Sequence, residues 1–275
     1  MYKIFDSHTH IYPEEIAARA TENLGNFYNF TVSESGTLNN LFDCQRKAQA
    51  SGFLLLPVAT SSRNVDKINE LSAESREIAR KNGFEAYAFG SMHRNYPDFK
   101  AGLEKCISLG IYGIKLHPDI QRENVDSEKM CLLYELMEER NFVLYLHVGD
   151  EREEFDFSSP ERVALIAKTF PKLRIVAAHL GGYQDWEKAE RALIGKYDNV
   201  FYDCSSTLWK MSAERAKYLI EKCGVDRVFF GSDYPVKDPE TCLSEFLRLD
   251  FSEETREDIL YNNFKREIVL KGGEI

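Results

Sequence analysis

The chain has 275 residues and a formal net charge of −10, with 43% hydrophobic and 29% charged residues. That length fits one large domain, since α/β barrels commonly run to about 250 residues as a single unit. The dispersed Lys and Arg argue against a nucleic-acid backbone as partner, because such binders carry a basic patch or stripe, and no apolar run approaches the roughly 20 residues needed to cross a bilayer.

In chain order, the first strand is predicted over residues 2–10. It leaves no room for a signal peptide, so a cytoplasmic location is expected by default. Residues 11–51 should hold helices and a mobile loop; 23–37, rich in Asn, Gly and Ser, reads as a loop able to lie over a barrel mouth. The second strand is 53–60. A helix over Val65–Lys81 follows, with Ile68, Leu71, Ile78 and Ala79 at helical spacing and Gly83 as its stop. The third strand, 86–92, precedes a helix capped by Asp98 that ends at Gly110. The fourth, 113–117, precedes a helix introduced by Ser127. The fifth, 143–148, leads to Ser159-Pro160, an N-cap followed by proline in the first turn, and Pro171 ends that helix. Strands over 174–179 and 200–204, a helix capped by Ser212, a strand over 227–232 and helices over 239–249 and 252–270 complete the chain.

The strands are nearly continuous apolar runs, as in Phe53-Leu54-Leu55-Leu56, which suits strands buried on both faces of a parallel sheet. Eight strands alternating with helices predict a (β/α)8 TIM barrel, one domain over residues 1–275. A doubly wound open sheet is the alternative, but the first strand ends in His-Thr-His and no G-x-G-x-x-G occurs. The cysteines Cys44, Cys106, Cys131, Cys204, Cys223 and Cys242 form no C-x-x-C pair and read as free thiols in a reducing compartment.

The six histidines are His8, His10, His93, His117, His147 and His179, and all fall at or just past the C-terminal end of a predicted strand. Asp233 falls at the same place on the eighth. Barrel active sites lie at that face. His8 and His10 are two apart, so a strand presents both imidazoles on one face, as a divalent metal requires. His147 and His179 each end an apolar strand. Lys115 and His117 share a strand face, and a lysine buried in a barrel mouth needs a reason: a substrate acid, a role as base, or carboxylation to a metal bridge. His93 and Asp203 are candidates for contact with substrate or with the ligands, and Arg94 is loosely placed to bind a substrate carboxylate. No G-x-S-x-G elbow, P-loop or paired strand-end carboxylates point to other chemistry.

The run Asp-Ser-His-Thr-His over 6–10, Gly-Ile-Lys-Leu-His-Pro over 113–118, Leu-His-Val-Gly over 146–149, Ala-His-Leu-Gly-Gly over 178–182 and Gly-Ser-Asp-Tyr-Pro over 231–235 together resemble the amidohydrolase superfamily. They are most similar to its family 2 branch, which includes aminocarboxymuconate-semialdehyde decarboxylase and related aromatic-acid decarboxylases. The tail Tyr-Asn-Asn-Phe-Lys-Arg over 261–266 resembles that branch's closing helix. The resemblance implies a metal-dependent enzyme with His8, His10, His147 and Asp233 as ligands. His179 would activate a water or bind a second metal, and Lys115 stands where binuclear relatives carry a carboxylated bridge. His117 departs from the aromatic residue that dihydroorotase-like relatives have at its place. The expected cofactor is a divalent metal, zinc before manganese, as one or two ions. The expected reaction is hydrolysis of a small carboxylate, lactone or amide, with Asp233 passing a proton to the leaving group. The alternative is non-oxidative decarboxylation of a small aromatic or muconate-like acid. His93, Arg94, Lys115 and His117 are the expected substrate contacts. The partner is a small molecule, with homo-oligomerisation left open.

Overall fold

The structure is a computed structural model that describes residues 2–270. Its strands are β1 Phe5–Thr9, β2 Gly52–Leu55, β3 Glu85–Ala88, β4 Gly90–Ser91, β5 Gly113–Leu116, β6 Val143–Leu146, β7 Arg174–Ala177, β8 Val200–Asp203 and β9 Val228–Phe229. All neighbours pair in parallel, in the orders β1-β2-β3 and β4 through β9. β3 and β4 are one stave broken at Phe89, whose N–H still reaches the Leu55 carbonyl at 3.0 Å. The ring closes where the Ser7 N–H donates to the Phe230 carbonyl and the Asp233 N–H to that of His8, both at 2.9 Å, with Thr9 bridging Tyr234. The result is an eight-stave TIM barrel.

Helices separate the staves: α1 Glu14–Tyr28, α2 Leu38–Lys47, α3 Val65–Lys81, α4 Phe99–Ser108, α5 Pro118–Gln121, α6 Glu128–Glu139, α7 Pro160–Thr169, α8 Trp186–Ala192, α9 Ala213–Cys223, α10 Pro239–Leu247 and α11 Glu253–Glu257. Asp98, Ser127 and Ser212 cap α4, α6 and α9 through side chains that accept the Ala101, Met130 and Arg215 N–H groups, so three N-termini follow local sequence.

Three expectations are corrected. The staves are shorter than the apolar runs: β1 starts at Phe5 rather than Tyr2, and β2 ends before Pro57, which has no N–H to offer a ladder. Residues 23–28 are the end of α1 rather than loop; Asn29 then stops the helix with a φ of 54°. Their weak helix propensity is overridden by the packing of Leu24, Phe27 and Tyr28 over the barrel mouth. The last helix widens after Glu257 into π turns over Asp258–Asn262 and Lys265–Leu270.

The barrel interior is filled by Phe5, Leu54, Phe89, Tyr145, Val176 and Phe229, and Phe264 closes its lower end by stacking on Phe5 at 4.4 Å. β1 departs from simple alternation. Asp6 pairs with Phe53 but Thr9 with Leu55, so three steps of β1 match two of β2. This bulge changes which face its residues present. Phe5 packs inside, Asp6 turns out to meet Gln45 of α2, and His8 turns in against Tyr145, ring centroids 5.3 Å apart.

Candidate active site

The C-terminal ends of β1 and β9 bring three donor atoms together. His8 Nε2 and His10 Nε2 are 3.0 Å apart, and each lies 3.4 Å from Asp233 Oδ1. Each imidazole has its other nitrogen committed. His8 Nδ1 donates to Asp203 Oδ2 at 3.0 Å, and His10 Nδ1 donates to the Leu56 carbonyl. With the protons on Nδ1, the two Nε2 lone pairs face each other, an arrangement that repels unless a cation lies between them. Metal bonds of about 2.0–2.2 Å set neighbouring donor atoms roughly 3 Å apart, so the spacing and the N,N,O chemistry fit a divalent ion. Ser206 Oγ donates to Asp233 Oδ2 at 2.5 Å, which aims Oδ1 at the imidazoles. Asp233 takes a left-handed φ of 63°, a conformation that Asp tolerates better than most residues.

Asp203, at the end of β8, organises the floor. It is fully buried and accepts from His8, from the Tyr145 hydroxyl at 2.8 Å and from the Ser205 N–H at 2.8 Å. Burial alone would raise its pKa, but His8 and these donors win and hold the carboxyl well below the usual range. The same burial, with Lys115 adding to it, pushes His8 down to about 3, so its imidazole is a neutral donor. Such a carboxylate–histidine pair fixes ring tautomer and orientation in metal sites.

Lys115 is buried at the barrel floor, its Nζ 3.3 Å from His8 Nε2 and 4.9 Å over the Tyr145 ring. Burial brings its pKa down to about 8, against the pull of Asp203 and Asp233. His179, with φ 59°, donates from Nδ1 to the Ser205 carbonyl at 3.0 Å, leaving Nε2 facing His147 Nδ1 at 3.0 Å. His147 stands outside the trio: its ring lies parallel to that of His117 at 3.9 Å, and its Nε2 lies 3.9 Å from Asp119 Oδ2. Burial lowers the pKa of all three histidines, so they too are neutral.

A cavity of about 890 Å³ opens above this floor, lined among others by His8, His10, Lys115, His117, His147 and Asp233. His93 and Arg94 line a separate small cleft with Glu123, with which Arg94 forms an ion pair; the structure does not bring them to the central cavity. Sequence reading missed the roof. Tyr28, at the end of α1, sits with its hydroxyl 2.8 Å from His117 Nε2 and 3.2 Å from His147 Nε2. Arg152 grips both carboxylate oxygens of Asp150 and donates to the Phe27 carbonyl at 2.6 Å, its guanidinium 4.1 Å from the Phe155 ring centroid. The available signal was the aromatic cluster Phe27, Tyr28 and Phe30 in an otherwise polar stretch. Asp119, buried and pushed up to about 7 by burial, was hidden behind Pro118.

The profile of the family described as Amidohydrolase matches residues 63–266. The chain belongs to the amidohydrolase family. Solved structures share this barrel fold. An uncharacterized TIM-barrel protein from Bordetella bronchiseptica is 19% identical, with a TM-score of 0.79 over 99% of this chain and 100% of that one. A dihydroxybenzoic acid decarboxylase from Polaromonas, solved with bound manganese, is 14% identical, with a TM-score of 0.69 over 97% and 96%. A probable 2-pyrone-4,6-dicarboxylic acid hydrolase from Acinetobacter baumannii, solved with citric acid, is 14% identical, with a TM-score of 0.67 over 96% and 98%. No curated protein matches the sequence. Among the described residues, no helix is long and apolar enough to cross a membrane.

Proposed function

We propose that this amidohydrolase is a metal-dependent hydrolase of carboxylate, lactone or amide substrates. The reading is carried by the convergence of His8 Nε2, His10 Nε2 and Asp233 Oδ1 with both Nδ1 protons already committed. Zinc or manganese suits such a mixed nitrogen and oxygen set, and the manganese bound by the Polaromonas decarboxylase lends weight to the second. When bound, the ion supplies a Lewis acid for a substrate oxygen and brings a water's pKa from 15.7 to about 7.

The chain's own residues then position and move protons. Asp203 keeps the His8 proton on Nδ1, so Nε2 stays a donor. With Oδ1 turned to the ion, Asp233 Oδ2, which accepts from Ser206 Oγ and keeps a second lone pair, would take the proton of an attacking water and pass it to the leaving group. His179, neutral and held through Nδ1, offers Nε2 as the alternative base or as a ligand alongside His147. Lys115 Nζ can pair with a substrate oxygen beside His8.

The rival reading is decarboxylation on the same donors, which the Polaromonas relative makes concrete. A guanidinium gripping the acid would favour it, but no arginine is among the described residues lining the cavity, which tilts the balance to hydrolysis. The test is a panel of lactones, amides and aromatic acids offered to protein loaded with Zn2+ or Mn2+, with acid release and CO2 both measured. Acid release without CO2 is the expected result; CO2 evolution from an aromatic acid replaces it with the second reading.

A further inference from the structure

The cavity above the donor trio is much larger than the reacting group requires. At about 890 Å³ it lies near the top of the roughly 300–1,000 Å³ range that encloses drug-sized ligands, whereas a single-ring acid fills only a small part of such a space. Its walls away from the trio are mostly apolar, with Glu15, Asn23, Asn64 and Lys67 among the polar exceptions. Leu24 and Phe27 of α1 line one part, and Val58, Ile68 and Leu71 line another. These five side chains are each only half-buried within the fold, so they leave apolar surface facing the hollow that an apolar ligand would cover. Charge is sparse in this lining. Its lysines are Lys115, at the floor against His8, and Lys67, exposed in the first turn of α3. A ring carrying two neighbouring acids would find one buried cation and no arginine.

We propose that the substrate has one polar reacting head and an extended apolar body larger than a single ring, the head at His8, His10 and Asp233 and the body between α1 and the Val58–Leu71 wall. This rests on the hydrolase reading above and names its substrate class. Substrates with two acid groups on one small ring would leave most of this apolar lining uncovered.

The test is calorimetric binding of benzoate, 4-butylbenzoate, 4-hexylbenzoate and isophthalate to the Mn2+-loaded protein and to the metal-free protein. Each added methylene should tighten binding about fourfold, the equivalent of about 0.8 kcal/mol per buried CH2, so butylbenzoate should gain on the order of 10²-fold over benzoate, and isophthalate should gain nothing. Leu71→Trp fills the apolar wall and should cut the alkyl gain at least tenfold. Leu24→Trp does the same from the α1 side and serves where Leu71→Trp melts early. Equal affinities across the alkyl series, isophthalate binding tightest, or an alkyl gain untouched by a folded tryptophan variant would each overturn the proposal. The alkyl gain is read with and without metal, so it fails separately from the metal reading: a protein that takes up no Mn2+ yet keeps the gain loses the hydrolase mechanism but keeps the apolar site.

Discussion

The floor and the roof of the barrel mouth are built on opposite plans. The floor holds His8, His10, Asp203 and Asp233 on strand ends and fixes them by short hydrogen bonds to one another and to backbone. Asp6 adds an outer brace, accepting from Gln45 Nε2 at 2.7 Å, Ser232 Oγ at 2.6 Å and the Ser232 N–H at 2.9 Å. The roof is a helix end and a loop, α1 and the segment around Arg152, joined by aromatic contacts and one guanidinium clamp. Sites on strand ends are held more tightly than sites on loops. Under the proposed function the floor carries the chemistry and the roof selects what enters.

Substitutions can break this division, and the largest effects belong to the floor. His8→Ala or Asp233→Ala should remove metal from the purified protein and lower kcat/KM by on the order of 10³-fold, as loss of a group stabilising developing charge does; metal analysis alongside kinetics checks it. Asp203→Asn keeps the shape but weakens the acceptor for the His8 proton. It should cost roughly 10–100-fold in metal affinity, measured by competition with a chelator, with turnover recovering at high metal. Asp6→Ala leaves the Gln45 amide, the Ser232 donors and the His8 N–H without their buried acceptor. About 3 kcal/mol of stability should go, seen in chemical denaturation, while kcat of the folded, metal-loaded protein changes little. Were Asp6→Ala to leave stability intact, the outer brace would carry no weight.

The smaller effects belong to the roof. Tyr28→Phe retains the ring and deletes the hydroxyl between His117 and His147; about 1 kcal/mol of stability should go, seen in chemical denaturation, with metal content and kcat nearly constant. Arg152→Ala frees the end of α1 at a cost in stability of about 1 kcal/mol and should raise KM while leaving metal content unchanged. A loss of metal affinity in either variant matching that of Asp203→Asn would erase the floor and roof distinction.

The sequence by itself determined the alternation of eight staves with helices, the helix caps at Asp98, Ser127 and Ser212, and the position of His8, His10, His147, His179 and Asp233 at or just past strand ends. These follow from periodicity, local hydrogen bonding and i, i+2 geometry, all of which act over a few residues. Only the tertiary structure decided the rest. The bulge in β1 depends on pairing with β2, far along the chain, and it turns both Phe5 and His8 inward. The grouping of histidines is also non-local: His8 and His10 meet Asp233 across the closing seam of the barrel, while His147 is drawn to His117 and His179. Tyr28 reaches the mouth because α1 folds back over it, where His117, His147 and Arg152 from 89 or more residues along the chain hold the helix end.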